Sequence, residues 1–369
     1  MTRRLGAGRR AIERKLLAAA RQYRQAARRR IPARPMKILF DHPNPFFLAH
    51  GGFETQIEQT REALLKLGVE VEWVRWWDAD QRGDVIHYFG RPAPAYIEFA
   101  HGKGMKVVMA ELLTGLGSRG ALGRRLQVAT IRVLRRNPFF GRMGWDAYQL
   151  ADAVVALTAW EAQLMREVFQ APADRVHVIP NGVEEVFLAT PKSGERGGWL
   201  VCTATIAPRK RVLELAEGAA AAKTPVWVLG RPYAEDDDYA RQFCELAAAN
   251  PDVVRYEGGV NDRQELARIY AEARGFVLLS TMESLSLSAL EAAACGCPLL
   301  LSDLPWARTT FGDAARYCPI AGVAATAAAL RDFYEAAPQM PAPPRPANWE
   351  DVGRQFRDLY ASLLERESK

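Results

Sequence analysis

The stretch GFVLLSTMESLSLSALEAAACGCPLLLSD, residues 275–303, limits the fold more than any other part of the chain. Phe276 to Ser280 is a short apolar run of the kind that forms a buried strand. A polar turn follows, then SALEAAAC, whose alanines and leucine favour helix. Gly296 stops that helix and Pro298 prevents its continuation. Leu299 to Leu301 is then the next strand, which makes the whole a βαβ unit. Ligands of such units sit beyond the carboxyl ends of the strands, where a loop feeds a helix N-terminus. Glu283 in the loop and Glu291 in the helix bracket that point, with seven residues between them. Amides of Ser286 to Ser288 lie between the two carboxylates. Amides donate to phosphate and carboxylates accept from hydroxyls, so the arrangement suits a diphosphate flanked by hydroxyl-bearing groups. The same residues also fit a capping box from Ser288 to Glu291, which would make Glu291 a structural residue of the first turn.

The same alternation of strand and helix runs through the rest of the chain. MKILFDHP reads as a first strand, followed by a loop through Asn44-Pro45 to His50-Gly51-Gly52. FETQIEQTREALLKLG is a helix ended by Gly68, and VEVEWVRW alternates as a second strand. Further strands are read at Asp84 to Phe89 and Lys106 to Ala110, and ADAVVALTAWEAQLMREVF is strand then helix. After a glycine-containing connection at 192–198, a strand from Trp199 to Ala204 leads into Pro208-Arg209-Lys210. Two cations at a helix start oppose the dipole, so a bound anion is the economical explanation for them. Asp236 to Asp238 is read as solvation of a helix start, because a metal site needs spaced ligands. A proline-rich segment from Pro338 to Pro346 is an extended crossing, and Trp349 to Leu364 a final helix. This repeated pattern implies two doubly wound α/β domains facing a cleft.

Charge is unevenly distributed. The whole chain is +6, but residues 1–35 hold twelve Lys and Arg against Glu13 alone, so the remainder is net negative. Leu5, Ile12, Leu16, Tyr23 and Ala27 recur at helical spacing in this tail. That is a basic amphipathic pattern suited to an anionic membrane surface; a solvated extension or an Arg-rich transit peptide has the same composition. A second basic segment runs from Leu112 to Trp145, with seven arginines and no acid. No apolar run is long enough to span a bilayer. The five cysteines show no metal-ligand framework and read as reduced residues of a cytoplasmic protein. Nucleic-acid binding by the tail lacks interleaved aromatics and a known module.

Glu-x7-Glu followed by EAAACGCPLL resembles the C-terminal signature of retaining glycosyltransferases of the GT-B fold, family 4. Gly51-Gly52 with Glu54, and the IPNGV turn at 179–183, resemble further motifs of that family. The resemblance implies that Glu283 meets the donor sugar and Glu291 the ribose of the nucleotide. It implies that Arg209 and Lys210 neutralise the diphosphate, and that Gly51, Gly52, Leu285, Ser286, Leu287 and the backbone at Val260 line the donor site. Where the family has glycines after the first Glu, this chain has Ser284 to Ser288. Where it often has a His after a strand of the first domain, this chain has Glu111 and Leu112, which leaves His42, His87 and His101 as candidate substitutes. The implied domains are a basic extension at 1–35, an acceptor-side domain at 36–185 with a returning helix at 349–366, and a nucleotide-sugar domain at 198–337.

The function implied is transfer of a sugar from a nucleotide diphosphate donor to a glycan or lipid-linked acceptor, with retention and with neither metal nor other cofactor. Such a protein would work in the cytoplasm or peripherally on the inner face of the membrane, in polysaccharide or glycolipid synthesis. Two alternatives share the resemblance: a GT-B phosphorylase or epimerase, and a non-catalytic relative that binds membranes or a partner.

Overall fold

The structure, a computed structural model, describes residues 36–43, 46, 51–117, 121–136, 143–190, 196–234 and 237–365. The basic tail lies outside them, as do Asn44-Pro45, His50, Arg119, Arg142 and Asp236.

The first lobe runs β1 (Lys37–Asp41), α1 (Gly52–Lys66), β2 (Glu70–Trp73), β3 (Val85–Phe89), α2 (Pro94–Gly102), β4 (Lys106–Ala110), α3 (Ala121–Arg136), β5 (Ala153–Ala156), α4 (Ala159–Glu167) and β6 (Val176–Val178); α5 (Glu185–Ala189) then packs against the core of the second lobe. The first-lobe strands are parallel in the order β2-β1-β3-β4-β5-β6. The central strands are buried along their length, as expected of a parallel sheet covered by helices on both faces. Sequence alternation would carry β2 on to Trp76, but pairing stops at Trp73. Arg75 turns away to bind Glu72 and Asp78, and the Gln81 side chain donates to the Trp73 carbonyl at 2.9 Å. Side-chain bonds replace the ladder there.

The second lobe runs β7 (Leu200–Thr203), α6 (Val212–Ala222), β8 (Val226–Leu229), α7 (Asp238–Ala249), β9 (Val254–Tyr256), α8 (Arg263–Glu272), β10 (Gly275–Leu278), α9 (Leu287–Ala294), β11 (Leu299–Ser302), α10 (Pro305–Phe311), β12 (Ala315–Cys318) and α11 (Val323–Ala336). Its six parallel strands are ordered β12-β11-β10-β7-β8-β9. Each sheet has its own apolar core. Asp237 caps α7 by accepting from the Tyr239 amide, so the acidic run there serves a helix start.

The last helix, α12 (Trp349–Glu365), packs on α1 of the first lobe. Trp349, Val352, Phe356, Leu359, Tyr360 and Leu363 form its buried stripe, at the spacing of one helix face. The helices approach closely because Gly353 has no side chain. A Cβ there would stand 2.8 Å from that of Ala63.

The capping box read from Ser288 to Glu291 is overturned. The N-cap of α9 is Ser286, whose Oγ accepts from the Ala289 amide. Glu291 is therefore the fifth residue of the helix, more than a turn past the cap, and its carboxylate is free to bond elsewhere.

Candidate functional site

β7 and β10 are neighbours at the point where the strand order of the second sheet reverses. Loops leaving the carboxyl ends of two such strands diverge and open a crevice. The loop after β7 carries Arg209 and Lys210, and the loop after β10 carries Glu283. They meet across the crevice, with Lys210 bonded to Glu283 Oε1 and Arg209 3.9 Å from the same oxygen. The Thr281 amide donates to the Arg209 carbonyl at 2.8 Å and ties the two loops together.

Arg209 and Lys210 do not begin a helix, as their sequence implied. They occupy a tight turn, Pro208–Lys210, and α6 starts only after Arg211. Arg211 has φ 53°, a left-handed conformation that costs a side-chain-bearing residue on the order of 1 kcal/mol. Its buried guanidinium is clamped by Glu214, with Nε donating at 2.7 Å, and that clamp holds the turn in place. On the next strand Gly230 lets the wall close, since a Cβ there would overlap the Ala204 carbonyl oxygen at 1.8 Å.

Glu291 reaches the same cavity from α9. It is almost fully buried and accepts from Arg263 at the start of α8, which also donates to Glu184 at 2.7 Å. Burial pushes the Glu291 carboxyl up to about 7, against the pull of the Arg263 charge. Arg263 escaped the sequence reading, yet it carries the signal that singled out Arg209 and Lys210: a cation at a helix start. Glu184 and Tyr233 also line the cavity unforeseen, and Tyr233 accepts a bond from Arg209 at 3.2 Å.

The cavity holds about 1300 Å³. Its second-lobe wall includes Arg209, Lys210, Glu283, Leu285, Ser286, Leu287 and Glu291; its first-lobe wall includes His42, Phe46, Gly51, Gly52, Glu54 and Leu112. A Cβ on Gly52 would stand 3.5 Å from Leu287 Cδ1, so the glycine pair faces the start of α9. Glu54 caps its own helix, accepting from the Gly51 amide at 2.7 Å. Val260 is not among the lining residues; it packs against the core of the second lobe, and its neighbour Asn261 lines the cavity instead.

Of the three candidate histidines only His42 lines the cavity, stacked on Phe46 with ring centroids 4.4 Å apart. His87 is fully buried in β3, beside Tyr360 of α12. His101 is at the end of α2, paired with Asp152 at 2.7 Å. Glu111, which stands in the family's histidine position, accepts from the Tyr148 hydroxyl at 2.5 Å. Among the described residues no three His, Cys, Asp or Glu side chains gather as a metal site. All five cysteines are free, and no described helix is long and apolar enough to cross a membrane.

Comparison with known proteins matches the two lobes separately. Residues 198–336 match the family described as glycosyl transferases group 1, and residues 71–182 the glycosyl transferase 4-like domain. A D-inositol 3-phosphate glycosyltransferase of Frankia alni is 29% identical over 189 residues, covering 46% of each chain. One of Thermobispora bispora is 32% identical over 180 residues, covering 43% of this chain and 42% of that protein. These matches thus span less than half the length of either relative. Among solved structures, sucrose-phosphate synthase of Thermosynechococcus elongatus superposes with a TM-score of 0.63 at 19% identity, over 90% of this chain and 100% of that one. Anabaena HepE, solved in complex with UDP and glucose, gives 0.57 at 13% identity, over 89% and 100%. With both sheets, the cleft and both sequence matches in agreement, the chain belongs to the group 1 glycosyl transferases and has the GT-B fold.

Proposed function

We propose that the protein is a retaining glycosyltransferase that moves a sugar from a nucleotide diphosphate donor to a hydroxyl of a glycan or lipid-linked acceptor. The observation that carries the reading is the Lys210–Glu283 pair at the switch point of the second sheet, with Arg209 beside it and the N-terminus of α9 next in the chain. The setting favours a diphosphate, because Lys210, Arg209 and the helix-start amides supply positive charge from three sides. When the diphosphate engages Lys210, Glu283 is released to accept from sugar hydroxyls. Glu291 accepts from the ribose. The bond from the anomeric carbon to the diphosphate oxygen breaks, and the acceptor oxygen bonds to that carbon on the same face. The acceptor proton passes to the departing phosphate oxygen. Charge on the leaving group falls on fixed protein cations, so transfer should survive EDTA.

A panel of sugar nucleotides, starting with UDP-glucose because the Anabaena neighbour holds UDP and glucose, tests the reading by nucleotide release. The anomeric configuration of the first product, read by NMR, tests retention. A folded protein that releases nucleotide from none of them supports the non-catalytic alternative.

A specific observation favours a membrane-surface setting on the inner leaflet, with a role in polysaccharide or glycolipid synthesis. Leu122, Leu126 and Val133 of α3 are exposed, while Ile131 on the opposite side is buried in the lobe's core. Arg125 and Arg132, each preceding one of the exposed apolar residues, are exposed as well. An apolar stripe bordered by arginines fits an anionic bilayer surface. Wild-type protein should sediment with phosphatidylglycerol vesicles, and changing all three apolar residues to Ser should abolish it. Undiminished sedimentation would reject this role for α3.

A further inference from the structure

A second exposed apolar feature has the opposite electrostatic setting. Trp76 and Trp77 are 78% and 84% exposed, in the loop that leaves the carboxyl end of β2. This loop is held rigidly by polar bonds. Arg75 donates from Nη2 to Asp78 at 2.7 Å and from Nη1 to Glu72 at 2.8 Å. Gln81 accepts from the Arg75 amide at 2.8 Å and donates to the Trp73 carbonyl at 2.9 Å. The indoles contribute little to folding where they stand, yet the chain fixes the backbone beneath them.

They adjoin the cavity. Asp41, at the end of β1, accepts from the Tyr96 hydroxyl at 2.6 Å and from the amide of His42 at 2.9 Å, and the Trp76 side chain lies close enough to act on the same carboxyl. His42 and Phe46 line the cavity and stack on each other, and both rings meet Trp73 edge-on, at 5.8 and 5.3 Å. Aromatic rings thus run from the first-lobe wall of the cavity to Trp73, three residues before the first of the exposed indoles.

We infer that Trp76 and Trp77 form a glycan-binding subsite, which holds sugar units of the acceptor that lie beyond the one being extended. The inference rests on the transferase reading for the identity of the cavity. Sugar rings present a face of C–H groups to an indole plane and hydroxyls to the polar groups around it, and Trp combines a broad apolar surface with an N–H donor. An exposed aromatic pair beside a binding cavity marks an interaction surface. An anionic bilayer does not fit. Between Glu70 and Asp84 the chain carries five acids against two arginines, the reverse of α3. A neutral polyhydroxyl ligand suffers no repulsion there. The acceptor is accordingly an oligosaccharide or a glycan chain of more than one sugar.

Native affinity electrophoresis in gels containing dextran, mannan, xylan or soluble starch tests it. Wild-type protein should be retarded by at least one of these glycans. Trp76→Ala and Trp77→Ala should each weaken the retardation about tenfold in apparent affinity, and Trp76→Phe should restore part of it, since an aromatic face remains. Trp77→Ala guards against a folding effect at Trp76, whose side chain lies near the buried Asp41, and melting curves on all variants confirm that they are folded. Retardation by none of the four, or equal retardation of wild type and alanine variants, overturns the subsite. Loss of phosphatidylglycerol-vesicle binding in the Trp variants with no glycan retardation assigns the loop to the membrane instead, and overturns it too. UDP release from UDP-glucose by the wild-type protein reports separately on the transferase reading. Release without glycan retardation defeats the subsite alone, and tryptophan-dependent retardation without release from any donor defeats the transferase alone.

Discussion

The two walls of the cavity hold their chemistry in different ways. On the second-lobe wall the ionic groups are locked in pairs, Lys210 with Glu283 and Arg263 with Glu291. The first-lobe wall is built largely of glycine backbone and rings, from Gly51, Gly52, His42 and Phe46; Glu54 there is occupied in capping α1, and Glu184, at the junction of the lobes, in bonding Arg263. Paired charges in a half-buried site are costly to strip and ready to be exchanged for a charged ligand. A wall of rings and backbone suits a neutral ligand rich in hydroxyls. The difference teaches that the lobes differ by charge, which fits the proposed diphosphate on the second and the proposed acceptor on the first.

The largest break in that comparison should come from Lys210→Ala. Removing one preorganised cation that meets the leaving group should lower kcat by about a hundred- to a thousandfold. The protein should stay folded, because Arg209 remains 3.9 Å from Glu283 as a second partner. Full activity in the double variant Arg209→Ala/Lys210→Ala would remove both from the mechanism. Glu283→Gln should follow, with turnover down about ten- to a hundredfold, the scale of one hydrogen bond to a charged group. Nucleotide affinity measured by calorimetry should stay close to wild type. If affinity falls as far as turnover, Glu283 meets the nucleotide and not the sugar.

Glu291→Gln should act on binding instead, weakening nucleotide affinity about tenfold. Its pH dependence sharpens the test. Burial raises this carboxyl from its ordinary 4.5 to about 7, so the carboxylate proposed to accept from ribose forms only as pH rises through that value. Nucleotide affinity should therefore increase between pH 6 and 8 in the wild type and lose this rise in the variant. Stability runs the other way. A carboxyl whose folded value is raised contributes stability that is present below 4.5 and lost as pH rises through about 7. The thermal midpoint of the Gln variant should thus fall less steeply over that range.

The sheets were legible because strand and helix periods differ, and every βαβ unit repeats the contrast. Glu283 and Lys210 were legible for another reason: each stands at a local anomaly, a carboxylate before a helix start and cations where the sequence reads a helix start, though the structure makes it a turn. Their pairing was not, since it depends on which strands are neighbours, and β7 and β10 are separated by two strands in sequence. Arg263 illustrates the same limit, for its bond to Glu291 joins the start of α8 to the second turn of α9, 28 residues away. The capping box misled because three serines compete for one cap. Ser286 takes it, which the sequence pattern of Ser288 to Glu291 does not reveal. Trp76 looked like the end of an alternating strand, but the Arg75 and Gln81 bonds end the strand before it, and its side chain is exposed.

The smallest expected effect concerns His87, one of the three histidines that the sequence left open as substitutes, with His42 and His101. It is fully buried between Phe89, at 4.0 Å, and Phe40 and Phe356, at 5.3 and 5.0 Å. Burial drives its imidazole down to about 3, so it is neutral throughout the physiological range. The Tyr360 hydroxyl, 2.7 Å from Nδ1, then donates to it and joins α12 to β3. Tyr360→Phe keeps the ring and removes only that donor. Leaving a buried nitrogen without its bond should cost about 1–3 kcal/mol, seen as a thermal midpoint lower by a few degrees. Turnover and nucleotide affinity should not change, because neither residue lines the cavity. A tenfold loss of turnover at an unchanged melting point would give His87 a part in the reaction, and the first lobe would then contribute a buried titratable group to it.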